Sequence, residues 1–228
     1  MTYQETYQTW LNVADLPDYL RQELESMDEA TKEDAFYTNL DFGTAGMRGY
    51  IGAGTNRINI YVVRQATEGL AKLVESKGEE AKKRGVAIAY DTRHFSPEFA
   101  FESAQVLAAH GIKSYVFESL RPTPELSFAV RHYNAVAGIM VTASHNPKEF
   151  NGYKVYGEDG GQMPPADASA LTDYIRAIDN PFAVELADLE ESKANGLITV
   201  LGEETDRLYL DELKSININK DLIAEHGK

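Results

Sequence analysis

The sequence predicts an α/β fold: a mixed, mainly parallel sheet flanked by helices, with a helical extension at the N-terminus. Three short apolar runs, at residues 86–90, 112–117 and 137–141, are separated by segments with helical spacing and capping residues. Strands joined by helices of this length form parallel sheets with right-handed crossovers, so all three strands end at one edge. Open α/β sheets bind their ligands at that edge.

The elements before the first strand follow from apolar spacing. Residues 1–40 are acidic, and leucines at positions 16, 20 and 24 predict two or three short helices that pack on the main domain. A glycine-rich stretch at residues 41–54 follows. Apolar residues at positions 63, 66, 70, 73 and 74 then predict a one-faced helix over residues 63–77, which Gly78 ends.

The remaining elements follow from capping residues and breakers. Ser96 and Thr123, each followed by proline, are predicted to cap helices over residues 96–109 and 123–133. After the third strand we expect a hairpin with a turn at residues 158–161, a helix at 166–178, a strand at 198–201 and a helix at 206–213. We therefore predict one domain over residues 1–205, with 206–228 as the start of a second, truncated domain.

Composition and charge exclude several classes of function. The net charge of −14 argues against nucleic acid or an anionic membrane as the main partner. The absence of cysteine excludes disulfides and thiolate metal sites. No apolar run is long enough to span a bilayer, and residues 1–5 lack the start of a secretion signal. We expect a cytoplasmic protein, and an anionic small substrate remains compatible with the charge.

The sequence Thr-Ala-Ser-His-Asn-Pro at residues 142–147 is the most informative motif. It follows the third strand, so the hydroxyl of Ser144 lies where ligands bind in such sheets. A nucleophilic or phosphoryl-carrying serine is one interpretation, and a simple turn is the other. A serine hydrolase is disfavoured because the Gly-x-Ser-x-Gly elbow is absent. His145 is also expected to point to the opposite side, as neighbours in extended backbone do.

Two cations near this motif are open to two interpretations each. Lys154 could fold back to neutralise a phosphoryl group or move protons, or it could be a solvated lysine of the hairpin. Arg48 lies in the glycine-rich stretch, which could hold a phosphate or could be a flexible turn. The spacing of that stretch matches neither a Walker A loop nor the dinucleotide fingerprint.

Taken together, the motifs resemble a known family. They are Phe-Gly-Thr-Ala-Gly-Met-Arg-Gly at residues 42–49, Tyr-Asp-Thr-Arg at 90–93, and the serine motif followed by Asn-Gly-Tyr-Lys at 151–154. In this order they resemble the α-D-phosphohexomutases, over roughly residues 38–215. The motif sequences are most similar to those in the N-terminal domain of the long bacterial phosphoglucomutases and their phosphopentomutase relatives.

The resemblance implies roles for particular residues. Ser144 corresponds to the family's phosphoserine, and His145 and Lys154 to residues that position the phosphoryl group and assist proton transfer. Arg48, Thr44 and Asn146 match positions that bind the phosphate or the substrate. The family uses Mg²⁺, which an oxygen of the serine phosphate binds, with glucose 1,6-bisphosphate as activator and intermediate.

The implied reaction interconverts glucose 1-phosphate and glucose 6-phosphate. The sequence lacks the Asp-x-Asp-x-Asp-Arg loop that supplies the other magnesium ligands, so we expect those ligands and the sugar-selecting loops in remaining domains of the same enzyme. On its own this fragment is expected to be inactive. A phosphomannomutase, a phosphopentomutase or a non-catalytic module that binds sugar phosphates are the alternatives.

Overall fold

The structure is a computed structural model that describes residues 2–43 and 46–218. Its helices are Tyr3–Leu11 (α1), Asp18–Ser26 (α2), Glu29–Phe36 (α3), Ile60–Ser76 (α4), Glu79–Arg84 (α5), Ser96–Ala109 (α6), Thr123–His132 (α7), Pro165–Arg176 (α8), Leu189–Ala194 (α9) and Glu203–Ser215 (α10). Its strands are Met47–Tyr50 (β1), Val86–Tyr90 (β2), Ser114–Phe117 (β3), Ala137–Val141 (β4), Phe150–Gly157 (β5) and Ile198–Leu201 (β6).

The six strands form one mixed sheet in the order β1-β5-β4-β2-β3-β6. Strand β2 pairs in parallel with β3 and β4, and β3 pairs in parallel with β6. Strand β5 runs antiparallel between β4 and β1. The predicted mixed, mainly parallel sheet is therefore confirmed, and β2, β3 and β4 end at one edge.

Helices cover both faces of the sheet, and the side chains of β2 show how. Val86 and Ile88 belong to the larger apolar cluster, which includes buried residues of α4 and α6. Ala87 and Ala89 belong to the smaller cluster, with buried residues of α7. This alternation is the period-2 pattern of a strand buried on both faces. The long apolar runs of the sequence follow from that burial.

The N-terminal extension is helical, as predicted, and packs on the main domain through aromatic residues. Trp10 of α1 is 2% exposed. Its ring makes edge contacts with Phe36, Tyr61 and Phe182, at centroid distances of 5.7, 5.6 and 5.2 Å. Since these three rings come from α3, α4 and the short 3-10 turn Pro181–Ala183, Trp10 joins the extension to the body of the domain.

Several local predictions were wrong. The predicted hairpin is instead the eight-residue strand β5, which pairs with β4 and β1, and the turn at 158–161 leads only to an isolated bridge. Ser96 and Thr123 are the first residues of their helices and not the caps, which are Phe95 and Pro122. Ser96 is buried, and its hydroxyl donates to Oδ1 of Asp91 at 3.2 Å. Phe95 has a left-handed φ of 63°.

The C-terminal helix α10 packs against α7. The Arg121 guanidinium donates to both carboxylate oxygens of Asp206, at 2.6 and 2.7 Å. The predicted domain boundary at residue 205 stays a prediction. Across residues 2–43 and 46–218, none of the helices has the length and apolar content needed to cross a membrane.

His110, at the end of α6, is expected to make the stability of the domain depend on pH. Its Nδ1 lies 2.9 Å from Glu75 and its Nε2 lies 2.7 Å from Glu68, both on α4. Both nitrogens can donate only in the imidazolium form. Burial alone would lower the pKa of His110, but the hydrogen bonds to the two glutamates outweigh it and the pKa is raised. The interaction therefore favours the charged histidine.

Because the folded-state pKa is raised, this contribution is complete below the unfolded pKa of about 6.5 and is lost as pH rises through the folded value. We expect His110→Gln to remove a stabilisation on the order of 1 kcal/mol at low pH, and less at high pH. Urea unfolding from pH 5.5 to 9 measures the difference. The exposed His94→Gln is the control, and parallel curves for H110Q and wild type would contradict the assignment.

Candidate active site

Ser144 lies just beyond the end of β4, at the edge where the parallel strands end. Its backbone is left-handed, with φ of 60°. The N–H of Ser144 donates to Oγ1 of Thr142 at 2.9 Å, and the Thr142 hydroxyl donates to Oδ2 of Asp91 at 2.6 Å. The side chain of Ser144 is exposed. A partly buried network thus holds the turn while Ser144 itself stays exposed.

His145 lies beside the serine hydroxyl, with Nδ1 3.4 Å from Oγ. The expectation that the two side chains point to opposite sides was wrong, because Ser144 is not extended but left-handed. At 3.4 Å the contact is long for a hydrogen bond. The histidine is therefore near enough to interact with a group attached to Oγ. Its hydrogen bond to the free hydroxyl is weak.

The register of the antiparallel strands brings Arg48 and Lys154 to the same face. Arg48 of β1 pairs with Gly152 of β5, and Lys154 lies two residues further along β5. Paired residues and residues two apart share a face, so both cations project from the same side of the sheet. Lys154 in turn pairs with Met140, near the end of β4. This end leads into residues 142–149, the serine loop. Lys154 therefore lies within strand β5 of the sheet, and not in the predicted hairpin.

The electrostatics of this face favour an anionic ligand. The pKa of Lys154 is lowered, first by burial and then by the charge of Arg48, while Asp91 partly offsets both. Arg48 and Lys154 repel each other in the free protein. A negative charge placed between them would attract both and offset this repulsion. These two charges are opposite in sign to the net charge of the chain.

Asn146 connects Arg48 to the serine loop. Nη1 of Arg48 lies 3.4 Å from Oδ1 of Asn146, a long contact that joins residues 98 positions apart. Thr44, the other predicted phosphate-binding residue, lies outside the described residues. The structure therefore places His145 beside Ser144 and joins Asn146 of the same loop to Arg48, while Lys154 lies on β5 between β1 and β4.

Two charged residues, Asp91 and Arg93, follow the end of β2 and lie next to the serine loop. Nε of Arg93 lies 3.4 Å from Oδ2 of Asp91. In addition, the Arg93 guanidinium donates to carbonyl oxygens of the serine loop, including that of Ser144 at 3.0 Å. A cavity of about 330 Å³ lies here, and its lining includes Asp91, Arg93, Ser144 and Lys148.

The described side chains do not complete a magnesium site. Within residues 2–43 and 46–218, no group of three or more His, Cys, Asp or Glu side chains is placed to hold a metal ion. Asp91 already accepts hydrogen bonds from Thr142, from Ser96 and from the backbone N–H of Arg93. A magnesium ion at Ser144 would need ligands beyond these groups.

Comparison with known proteins agrees with this architecture. The family described as "Phosphoglucomutase/phosphomannomutase, alpha/beta/alpha domain I" matches residues 39–182, more than half of the chain. A phosphoglucomutase from Staphylococcus saprophyticus is 41% identical over 192 residues, which are 84% of this chain and 34% of that protein. A phosphoglucomutase from Staphylococcus aureus is 45% identical over 156 residues, 68% of this chain and 28% of its own.

Solved structures show the same fold. A crystal structure assigned to a phosphomannomutase from Thermus thermophilus has a TM-score of 0.67 and 27% identity, over 81% of this chain and 38% of that chain. The chain spans about a third of the length of the phosphoglucomutases it matches. On this match, and on the sheet and serine edge described above, the chain belongs to the phosphoglucomutase/phosphomannomutase family and contains its domain I.

Proposed function

We propose that Ser144 is the phosphoryl-carrying serine of a phosphoglucomutase that interconverts glucose 1-phosphate and glucose 6-phosphate through glucose 1,6-bisphosphate. The observation that carries the proposal is the exposed Ser144 on a left-handed turn after β4, with Lys154 on the neighbouring strand β5 and Arg48 on β1 beyond it. The names of the staphylococcal relatives support glucose as the sugar.

The chemistry suits these groups. A phosphoserine carries about −1.5 to −2 charges at neutral pH, and phosphoryl transfer is mainly positioning and charge neutralisation. In the proposed step, a sugar hydroxyl oxygen bonds to phosphorus and the bond from phosphorus to Oγ of Ser144 breaks. The hydroxyl proton passes to a base, and Oγ regains a proton. His145 and Lys154 are the proposed partners in that proton exchange, and Arg48 binds phosphate oxygens with Asn146 and Thr44.

The remaining parts of the proposal concern groups outside the described site. Mg²⁺ is proposed to bind an oxygen of the serine phosphate, with its other ligands supplied from outside this chain. Regions of the relatives that this chain does not span are proposed to complete the mutase cycle, so the 228-residue chain alone should not turn over. We further propose that the protein acts in the cytoplasm.

Intact-mass analysis tests the proposal. The chain is incubated with glucose 1,6-bisphosphate and Mg²⁺, alone and as part of the complete protein. One added phosphoryl group, located at Ser144 by fragment masses, is the expected result. Phosphorylation from mannose 1,6-bisphosphate alone would favour a phosphomannomutase, and from ribose 1,5-bisphosphate alone a phosphopentomutase. Absence of phosphorylation in the complete protein would refute the proposal.

Lys154→Met is expected to slow phosphorylation of Ser144 by about 10²-fold or more, since it removes a positioned proton donor and a cation. Because the pKa of Lys154 is lowered, the wild-type rate should fall on the alkaline side at a lower pH than an ordinary lysine would cause. Rates of mass increase at several pH values measure both effects. Lys83→Met, on a largely exposed lysine of α5, is the control. An unchanged pH profile in K154M would contradict this role.

A further inference from the structure

Arg93 makes four hydrogen bonds from its Nη atoms to backbone carbonyl oxygens. Nη1 and Nη2 each donate to two of them, of which three belong to the serine loop and one to Phe150, the first residue of β5. The acceptors are Pro147 (2.7 Å) and Phe150 (2.8 Å) for Nη1, and Ser144 (3.0 Å) and Asn146 (2.7 Å) for Nη2. The remaining nitrogen, Nε, lies 3.4 Å from Oδ2 of Asp91 and forms an ion pair with it.

These contacts leave Arg93 little capacity to bind a phosphate. Of the five N–H donors of a guanidinium, the four on the Nη atoms bind carbonyl oxygens, and Nε lies at ion-pair distance from a carboxylate. The side chain is only 12% exposed. Arg48, by contrast, is exposed, and its contact with Asn146 is long. Two arginines thus lie at this edge in different situations: Arg48 is open to an incoming anion and Arg93 is committed to the loop.

Asp91 ties this guanidinium to the turn that carries the serine. Oδ1 of Asp91 accepts the backbone N–H of Arg93 at 3.0 Å, and Oδ2 accepts the hydroxyl of Thr142 at 2.6 Å. Thr142 in turn accepts the N–H of Ser144. The two residues after β2 therefore hold the serine loop at different points. Asp91 holds its first residues, and Arg93 contacts it along its length.

The carbonyls that bind Arg93 also fix the direction of the backbone N–H groups in the same peptide units. In a trans peptide, C=O and N–H point to opposite sides. The Ser144 and Pro147 carbonyls point at Arg93, so the N–H groups of His145 and Lys148 point away from it. Both of these residues are exposed. The clamp that Arg93 forms thus directs two amide donors of the serine loop away from Arg93, one of them on the residue that follows Ser144.

We propose that Arg93 is a positioning residue, which holds the serine loop so that Ser144 Oγ and these amides are preorganised for the phosphoryl group. The inference rests on the proposed function of Ser144. Catalytic groups displaced by even 1 Å can lose about 10²-fold in rate. Loss of Arg93 should therefore act on the rate of transfer and much less on the binding of the phosphosugar, which Arg48 and Lys154 attract.

The experiment compares wild type with Arg93→Ala, Arg93→Lys and Arg84→Ala. Arg84 is the matched control, because its guanidinium also donates to backbone carbonyls, those of Asn134 and Ala135, and it precedes β2 at the opposite edge of the sheet. Phosphorylation of Ser144 by glucose 1,6-bisphosphate with Mg²⁺ is followed by intact mass at several donor concentrations, in the complete protein. Hydrogen exchange of residues 142–150 is measured in the same samples.

We expect R93A to lower the saturating rate at least tenfold, with a half-saturating donor concentration within about twofold of wild type. R93K should recover little, since an ammonium has three donors and no planar fork. Added guanidinium chloride, far below its denaturing range, should restore part of the R93A rate but not change R84A. Amides of residues 142–150 should exchange faster in R93A than in R84A.

Each outcome bears on one of the two proposals. A wild-type rate in R93A, or equal loss in R93A and R84A, overturns the positioning role while leaving Ser144 as the carrier. If wild type itself takes up no phosphoryl group, the proposed function fails and the exchange data alone decide whether Arg93 holds the loop. Unchanged exchange in R93A refutes the clamp in either case.

Discussion

Ser144→Ala is expected to abolish uptake of a phosphoryl group, with a fall of at least about 10³-fold in the rate of mass increase. The hydroxyl is the only side-chain atom that this substitution removes. The left-handed turn depends on backbone and Thr142 contacts, which alanine retains, so the fold should be preserved. Intact mass after incubation with glucose 1,6-bisphosphate measures the effect, and thermal unfolding checks the fold.

Ser119→Ala is the matched control, since Ser119 is an exposed serine that follows β3 at the same edge of the sheet. It should be phosphorylated like wild type. Phosphorylation of S144A at a comparable rate would remove Ser144 from the mechanism. Acylation of Ser144 by an ester substrate, without phosphorylation, would instead support the serine hydrolase that the sequence disfavours.

Gly152→Ala is expected to have the largest effect on stability. A Cβ at this position would lie 2.6 Å from the Thr142 carbonyl oxygen, 2.7 Å from that of Met47 and 3.0 Å from Cγ of Arg48. Two of these atoms are backbone of the neighbouring segments, so the clash is relieved only by disturbing the sheet next to the serine. We expect a loss of about 3 kcal/mol in the free energy of unfolding, which lowers the melting temperature by about 6–12 °C.

Gly43→Ala is the control for Gly152, since its Cβ would meet only ordinary contact, the nearest atom being the Gly46 carbonyl oxygen at 3.7 Å. Its stability should stay within about 1 kcal/mol of wild type. Urea unfolding of both variants makes the comparison. A stability of G152A equal to that of G43A would mean that the strands at this position are not packed as described.

The sequence predicted those parts of the fold whose signal lies in residues close together along the chain. Strand β2 is a run of five apolar residues between clear breakers, and α6 begins and ends where the sequence predicts. Strand β1 was missed because its four residues include Arg48 and Gly49 and alternate between buried and exposed. Its strand character comes from pairing with β5, about a hundred residues later, which no local pattern contains.

The candidate site divides in the same way. Residue type and motif order name Ser144, His145, Lys154 and Arg48 as candidates, and their roles stay a prediction. The direction of the His145 side chain could not be predicted, because it depends on the left-handed φ of Ser144. The contacts of Arg93 are with carbonyl oxygens, which every residue possesses, so side-chain identities in the loop give no hint of them. A strand-end Asp-x-Arg next to a serine loop was the available signal.

The order of strands in the sheet has a consequence for synthesis on the ribosome. Strand β1 emerges early, but its single partner in the sheet is β5, which is made about a hundred residues later. Long-range pairing of this kind is slow, and an unpaired strand can join the wrong partner in the meantime. The face that Arg48 and Lys154 share, which we propose binds phosphate, therefore cannot form in a nascent chain that ends before β5. Premature termination before that point removes Lys154 and leaves Arg48 without the strand that positions it.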